Sequence, residues 1–355
     1  MSARVMTAVA GAAGVLALGG AIGAISAAAA APPPSWRIVK SVHSGAGGGF
    51  TAVVATGKAA GWAFDTAGEP TAWQRNGGTW TQVKFPGKSG EQVVAAGAAS
   101  PSDVWAFTDV GTGGRALRWN GRTWSVVRTF PQPIGGAAVL AANDVWVFGQ
   151  PGIIEQLGAW RYNGHAWTRV AKNLDGGSAL AADDVWAFSG ANVDHWNGRA
   201  WASTSVSGLL PRRTMFNDPA VTGVYAQSAR SVYAVGNGNL QDDGGPTVIL
   251  HYNGRTWSKA AQGNFGYGTQ PSQQISPDGH GGLWLPMPGA LGAPSYLIHY
   301  AAGRLTAARL PLGARSINVE SVAAVPGTAQ VLAGGFTHAA GNPFGNVVAV
   351  ILQYG

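Results

Sequence analysis

His195, His251 and His299 each stand directly before an aromatic residue: Trp196, Tyr252 and Tyr300. Imidazole at a repeated position suggests a metal triad. The corresponding position elsewhere reads Ala72, Arg118, Arg161 and Gln353, so it accepts many side chains. Equivalent points on separate repeats of a radial array diverge, whereas zinc needs its nitrogens about 2.0–2.1 Å from one centre. A surface or inter-repeat role is expected, and no metal site. Asp103, Asp144 and Asp184 also recur, each ahead of a Val-Trp pair. An acid there is expected to cap backbone amides of the preceding turn.

The remaining polar candidates lie in loops. Arg212 and Arg213, followed by Asp218, form the richest one, and paired guanidiniums suit a carboxylate or phosphate. Asp242 and Asp243 lie in a segment, 237–244, that looks like half a calcium loop. Its oxygen spacing is irregular, and Val248 stands where an EF-hand has its bidentate Glu, so a Gly/Asn/Asp turn is the better reading. Phe265, Tyr267 and Phe344 sit on Gly-rich loops, where an aromatic ring either stacks on a sugar or anchors its loop. The candidate ligand-binding set is therefore Arg212, Arg213, Asp218, Asp242, Asp243, Tyr267 and Phe344.

Catalytic patterns are absent from the sequence. The chain has no cysteine, which removes thiolate, disulfide and Cys-ligated metal chemistry. No G-x-S-x-G, H-E-x-x-H or P-loop pattern occurs. No catalytic residue and no cofactor is assigned. A lyase-type site built from one histidine and a few acids stays open.

The elements that must carry these residues come from a repeat. Asp-Val-Trp-Ala-Phe occurs at 103–107 and 184–188, and with Val147 for Ala at 144–148; Trp62, Tyr233 and Trp284 mark weaker copies. An aromatic-Asn-Gly-x-x-Trp block alternates with it, as in Trp119–Trp124, Tyr162–Trp167, Trp196–Trp201 and Tyr252–Trp257. The interval is roughly 40 to 50 residues, the range of propeller blades and of helical arrays. Alternation of large and small side chains with period two favours strands. The 54 Gly, 20 Pro and 15 Trp agree with many turns between strands that pack large rings.

Each repeat resolves into four short strands, a to d. Strand b is the Val-Trp-Ala-Phe block, strand c ends in the aromatic, and an Asn-Gly turn leads to the Trp of strand d. A two-residue turn at Asn120-Gly121 would set Arg118 opposite Thr123, with Trp119 and Trp124 on one face. Trp73, Trp119, Tyr162, Trp196, Tyr252, Tyr300 and Tyr354 then count seven c strands. The chain stops at Gly355, where a last strand d is due, and Ser35–Val39 resembles Thr123–Val127. The fold expected is an all-β, seven-bladed β-propeller, with blades of about 46 residues, closed by an N-terminal strand that joins the C-terminal blade.

These blocks resemble kelch-type propellers, such as the central domain of galactose oxidase, and propeller proteins that actinobacteria export. The resemblance covers residues 35–355 and departs in one respect: paired glycines after strand b are mostly missing, with Gly149 and Gly334-Gly335 nearby. It implies the fold and no single function, since such propellers serve as enzymes and as binding platforms. The Cys–Tyr crosslink of kelch-like copper oxidases is impossible here. A sialidase-like site needs inward arginines, whereas Arg122, Arg199 and Arg255 sit in hairpins.

The N-terminus reads as an address. Residues 5–31 are uncharged and apolar after Arg4 and end in small residues before three prolines. This marks 1–31 as a secretory signal, or as an uncleaved membrane anchor, and 32–355 as the propeller. Net charge is +7 with basic residues scattered, so no nucleic-acid footprint is present. In a propeller, a–b and c–d turns share one face of the disc, and b–c and d–a loops share the other. Length variation falls on the second face, at 108–116, 150–158, 202–220, 236–247, 261–273, 286–294 and 337–346. Variable loops on a rigid frame are where recognition concentrates. The expectation is a secreted or cell-surface, monomeric, non-catalytic binding propeller. Its partner would be a glycan, cell-wall polymer or protein, with membrane contact through the N-terminal segment alone if uncleaved. The alternative is a carbohydrate-active lyase or hydrolase with its site at the channel mouth.

Overall fold

Seven four-stranded antiparallel meanders are present among the described residues of the computed structural model. Those residues are 34–355 without 46, 151, 153–156, 215–217, 239–244, 266–270, 290–294, 312–316 and 339–346. The leader expected at 1–31 lies outside them. Five meanders are separate sheets; the third and fourth are joined by one parallel bridge, Gly149 to Asp175. Strands a run Phe50–Gly57, Gln92–Ser100, Ile134–Ala141, Asp175–Ala181, Ala220–Ser228, Ser276–Pro277 and Asn318–Ala324 in blades 1 to 7.

The ring closes as the sequence predicts. Strand Trp36–Ser44 pairs antiparallel with the C-terminal strand Val347–Tyr354, and Trp36 faces Tyr354. The last blade thus takes strand d from the beginning of the chain.

The core is a set of layers between blades, one at each junction. Trp62 and Phe64 of blade 1 pack on Val104, Leu117, Trp119 and Trp124 of blade 2. Trp105 and Phe107 meet Val145, Val147 and Leu157 of blade 3, and later blades repeat the scheme. Trp284 of blade 6 meets Tyr354 and Trp36, so this junction is assembled from both chain ends. Period-two alternation produces this arrangement, because one face of each strand b must fill the next blade's concavity.

Two details of register differ from the sequence reading. Trp119 pairs directly with Trp124 and Arg118 with Ser125, so the Asn-Gly turn spans four residues. Asn120 Oδ1 accepts from the amides of Arg122 and Thr123, and Gly121 takes a left-handed φ of 90°. The side chain closes a wider turn than a two-residue hairpin. Blade 1 does have the two-residue turn, Gly77-Gly78, between paired Asn76 and Thr79. Its aromatic position is consequently filled by Arg75, opposite Trp80, and the residue facing Trp62 is Gln74, not Ala72. Trp73 faces Ala63 instead.

The a–b turns hold two residues in blades 1 to 5 and lengthen to 278–282 and 325–330 in blades 6 and 7. Some expected loops shrink. Strand d of blade 4, Trp201–Ser205, takes up the start of the 202–220 segment, and 108–116 reduces to a connection at 110–113.

Candidate functional site

The repeated His, Arg and Asp positions form a structural bracket, not a site. Arg118 lies over the Trp105 ring, 5.0 Å from its centroid, and grips Asp103 through two hydrogen bonds of 2.8 and 2.7 Å. Arg161, Trp146 and Asp144 repeat this in blade 3. In blade 4, His195 stacks on Trp186 at 4.2 Å and bonds Asp184 at 2.9 Å. In blade 6, His299 stacks on Trp284 at 4.2 Å and bonds Asp278 at 2.8 Å. His251 lies against Tyr233 and bonds Ser231. Each histidine thus stacks and bonds within its own blade, in place of the inter-repeat role expected. The aspartates correct the capping expectation: their carboxylates turn across the sheet to the strand-c Arg or His and, in two blades, to the indole N–H. In blades 2 and 3 a guanidinium over a buried indole draws the acid there. Asp278 opens the longer a–b turn, 278–282, and caps the amides of His280 and Gly282 as well. Its carboxyl is held low by the His299 and backbone hydrogen bonds, which outweigh burial.

The loop face is organised around the channel end. Strand a of blade 6 is cut to two residues, and the chain before it crosses toward other blades. Gln274 Nε2 donates to Val94 O of blade 2 at 2.7 Å. Gln273 lies against the inner-strand glycines of blades 3, 4 and 5. A Cβ on Gly176 would meet its Oε1 at 2.3 Å, one on Gly136 at 3.0 Å, and one on Gly223 its Cα at 3.6 Å. Ser272 N donates to Pro286 O and fixes the segment to blade 6. Residues 272–275 therefore plug the channel where the strands a begin. Glycines in three neighbouring strands provide the space, a signal visible in the sequence at 135–136, 176–177 and 223 but without meaning until the ring is assembled.

Two acids near this end are buried and a third is half-buried. Asp175 opens strand a of blade 4, is 4% exposed, and has its carboxyl pushed up to about 6 by burial and then by the charge of Asp194. Burial also raises Asp194, against hydrogen bonds from Ser189 and Ser203. Glu320, the bulge residue of strand a in blade 7, is raised by burial. Among the described residues no three acids or histidines converge. One buried ion pair was missed by sequence reading: Arg115 of blade 2 clamps Glu91 and the Pro86 carbonyl, and so fixes the 84–91 loop.

Of the seven expected ligand-binding residues, Arg212, Arg213 and Asp218 come together. They border an open depression of ≈ 450 Å³ floored by Leu210 and walled by Ala191 and Pro219. The loop is pinned by Val206 and Leu210, both buried in the blade 4–5 layer, and by Val206 N donating to Ala191 O. Arg213 and Asp218 pair at 3.2 Å with side chains 77% and 72% exposed, so the pair contributes little to stability. Asp242, Asp243, Tyr267 and Phe344 lie outside the described residues. Phe265 packs on Tyr296 at 5.9 Å, which is the anchoring role. Exposed aromatics, expected of a binding face, do not occur among the described residues; the large exposed apolar side chains there are Val110, Val126 and Val127.

No protein-family model and no curated protein matches the chain. Solved structures do. YCF48 bound to D1 peptide aligns with a TM-score of 0.56 at 12% identity, over 89% of this chain and 96% of that one. The RRP9 WD40 repeats align at 0.58 and 12%, over 90% and 97%. The WD40 β-propeller domain of Doa1 aligns at 0.58 and 12%, over 89% and 96%. Likeness at this identity establishes architecture and nothing of ligand: the chain is an all-β propeller with N-terminal strand closure.

Proposed function

We propose that this chain is an exported, non-catalytic binding propeller of kelch-like type that holds a protein segment on its loop-bearing face. The observation that carries the reading is the plug. With Gln273 and Gln274 across the channel end, the face offers neutral amides and a surrounding rim of loops in place of converging charge. The Arg212–Arg213–Asp218 depression on that rim is a polar cleft with an apolar floor, suited to an extended chain bearing a carboxylate. The similar YCF48 structure is described as bound to a peptide, which supports a peptide over a glycan or cell-wall polymer.

The test is a parallel screen of the secreted protein on peptide and glycan arrays, with a hydrolase and lyase panel. Peptide binding that falls at least tenfold in Arg212→Ala/Arg213→Ala supports the reading. Glycan binding at the same residues replaces the ligand class. Turnover that disappears with Glu320→Gln or Asp175→Asn overturns the non-catalytic assignment. Mass spectrometry of the mature N-terminus tests export, with a new terminus near Ala31 expected.

A further inference from the structure

We infer that the opposite face of the disc, built from the short turns, is a docking surface for a linear phosphate polymer. The arginines of the fold divide into two sets. Arg115, Arg118 and Arg161 are each tied to a carboxylate inside the fold. Arg122, Arg199 and Arg255 stand at the same place in the Asn-Gly turns of blades 2, 4 and 5, and all three are exposed. No hydrogen bond or ion pair engages their side chains among the described residues. His165 fills the place in blade 3 and Arg304 begins strand d in blade 6, both exposed.

The a–b turns lie beside these c–d turns. The Cβ that Gly121 lacks would touch Ser102, that of Gly164 Asn143, that of Gly198 Asp183, and that of Gly254 Arg230. The two sets of turns therefore form one face. The a–b turns add exposed Lys58 and Arg230. Against these six permanent cations stands Asp183, the one carboxylate of the short turns that is not engaged elsewhere among the described residues. The Asn residues hold the turns rigidly, each accepting two backbone amides, as Asn197 and Asn253 show. The cations are thus presented at fixed blade intervals around a ring.

A spaced ring of guanidiniums with no large exposed apolar side chain on its turns among the described residues fits a flexible chain of phosphates that follows it by counterion release. Nucleic-acid binding of this kind uses aromatic platforms for the bases. Here the turn-flanking rings Trp119, Trp124, Trp167 and Trp257 are buried or half-buried in the blade junctions. Surface insertion into a bilayer needs apolar residues beside the cations. The exposed valines lie elsewhere, Val126 and Val127 on an outer strand and Val110 on the loop face. This inference is independent of the loop-face reading.

The experiment titrates the full chain with fluorescein-labelled inorganic polyphosphate from 50 to 200 mM salt. Parallel titrations use single-stranded DNA of equal charge and phosphatidylglycerol vesicles. With about six contacts, the log–log salt slope should lie near −4 and affinity should fall about 250-fold across that range. Arg122→Ser/Arg199→Ser/Arg255→Ser should bring the slope to about −2 and weaken binding at least tenfold at 50 mM salt. The corresponding triple Lys variant should keep binding, and so should Arg212→Ala/Arg213→Ala. A triple Ser variant that melts like the parent and binds polyphosphate like the parent overturns the inference. So does absence of polyphosphate binding at 50 mM salt, or equal or tighter binding of DNA or vesicles.

Discussion

Replacing Trp36 by Ala removes the ring that links the start of the chain to its end. Trp36 is 6% exposed and sits 5.1 Å from Trp284 and 5.4 Å from Tyr354, centroid to centroid. A buried Trp→Ala change costs about 3–5 kcal/mol through lost transfer energy and the cavity left behind. For a unit of this size, an unfolding entropy of about 0.7 kcal/mol/K converts that loss to about 4–7 °C in Tm. Trp124, 7% exposed at the corresponding place in blade 2, is the internal control. If the N-terminal strand is a full member of the ring, Trp36→Ala and Trp124→Ala lower Tm by similar amounts in near-ultraviolet circular dichroism melts. A Trp36→Ala protein that melts within about 1 °C of the parent, beside a Trp124→Ala protein that does not, would refute closure. It would make the terminal strand an accessory to a ring that holds without it.

Other expectations follow from single groups. Asp175 binds a proton up to about pH 6 in the native state and only to about 4 when unfolded, so stability falls as pH rises between these values. Above pH 6 that penalty is of order 2–3 kcal/mol; Asp175→Asn should recover most of it at pH 7 and none near pH 4, read by urea unfolding at both. Asp278 has the opposite sign: its lowered carboxyl stabilises above the unfolded value, and that contribution is lost as the solution is acidified through the native one. Asp278→Asn should therefore destabilise at pH 7 and merge with the parent in acid. Glu91→Ala leaves the Arg115 guanidinium buried without its partner and should cost about 3–5 kcal/mol, whereas Glu91→Leu with Arg115→Met should lie near the parent in denaturant midpoint. Gln274→Ala leaves Val94 O without its donor and should cost about 1 kcal/mol, with faster amide exchange confined to the plug.

The parts of this fold that were legible are those where one side chain has one geometric consequence. The Val-Trp-Ala-Phe blocks alternate because each strand b faces a neighbouring blade. The Trp-bearing segment at the N-terminus matched a missing strand because every other Trp of that kind had a partner. What escaped was relational. Gly77-Gly78 against Asn120-Gly121 looks like a trivial change, yet it moves Arg75 into the aromatic's place. There Arg75 donates to Gln353 across the junction of blades 7 and 1, where Leu332 replaces the usual strand-b Trp. Asp278 escaped because it reaches the bracket from a turn of different length. Gln273 and Gln274 escaped because their contacts join residues far apart in sequence, Val94 among them. Of the candidate site, the Arg212–Arg213–Asp218 grouping was legible from adjacency in one loop, and the plug beside it was not.

The placement of the acids decides which cations of this +7 chain are left without a counter-charge. Asp103, Asp144, Asp184 and Asp278 are drawn into the brackets, Glu91 into the Arg115 clamp, and Asp65 onto Ser44 and the Gly49 amide. Asp175 and Asp194 are buried and Glu320 half-buried, all with raised affinity for protons. Each acid placed inside removes a counter-charge from the surface, while Arg122, Arg199 and Arg255 stay on turns that no neighbouring element covers. Stacking blades through brackets of Trp, Arg or His, and acid therefore has an electrostatic consequence: carboxylates are withdrawn from the short-turn face while its guanidiniums stay exposed. A chain that kept the brackets and exchanged those three arginines for Ser would retain the fold and lose the field.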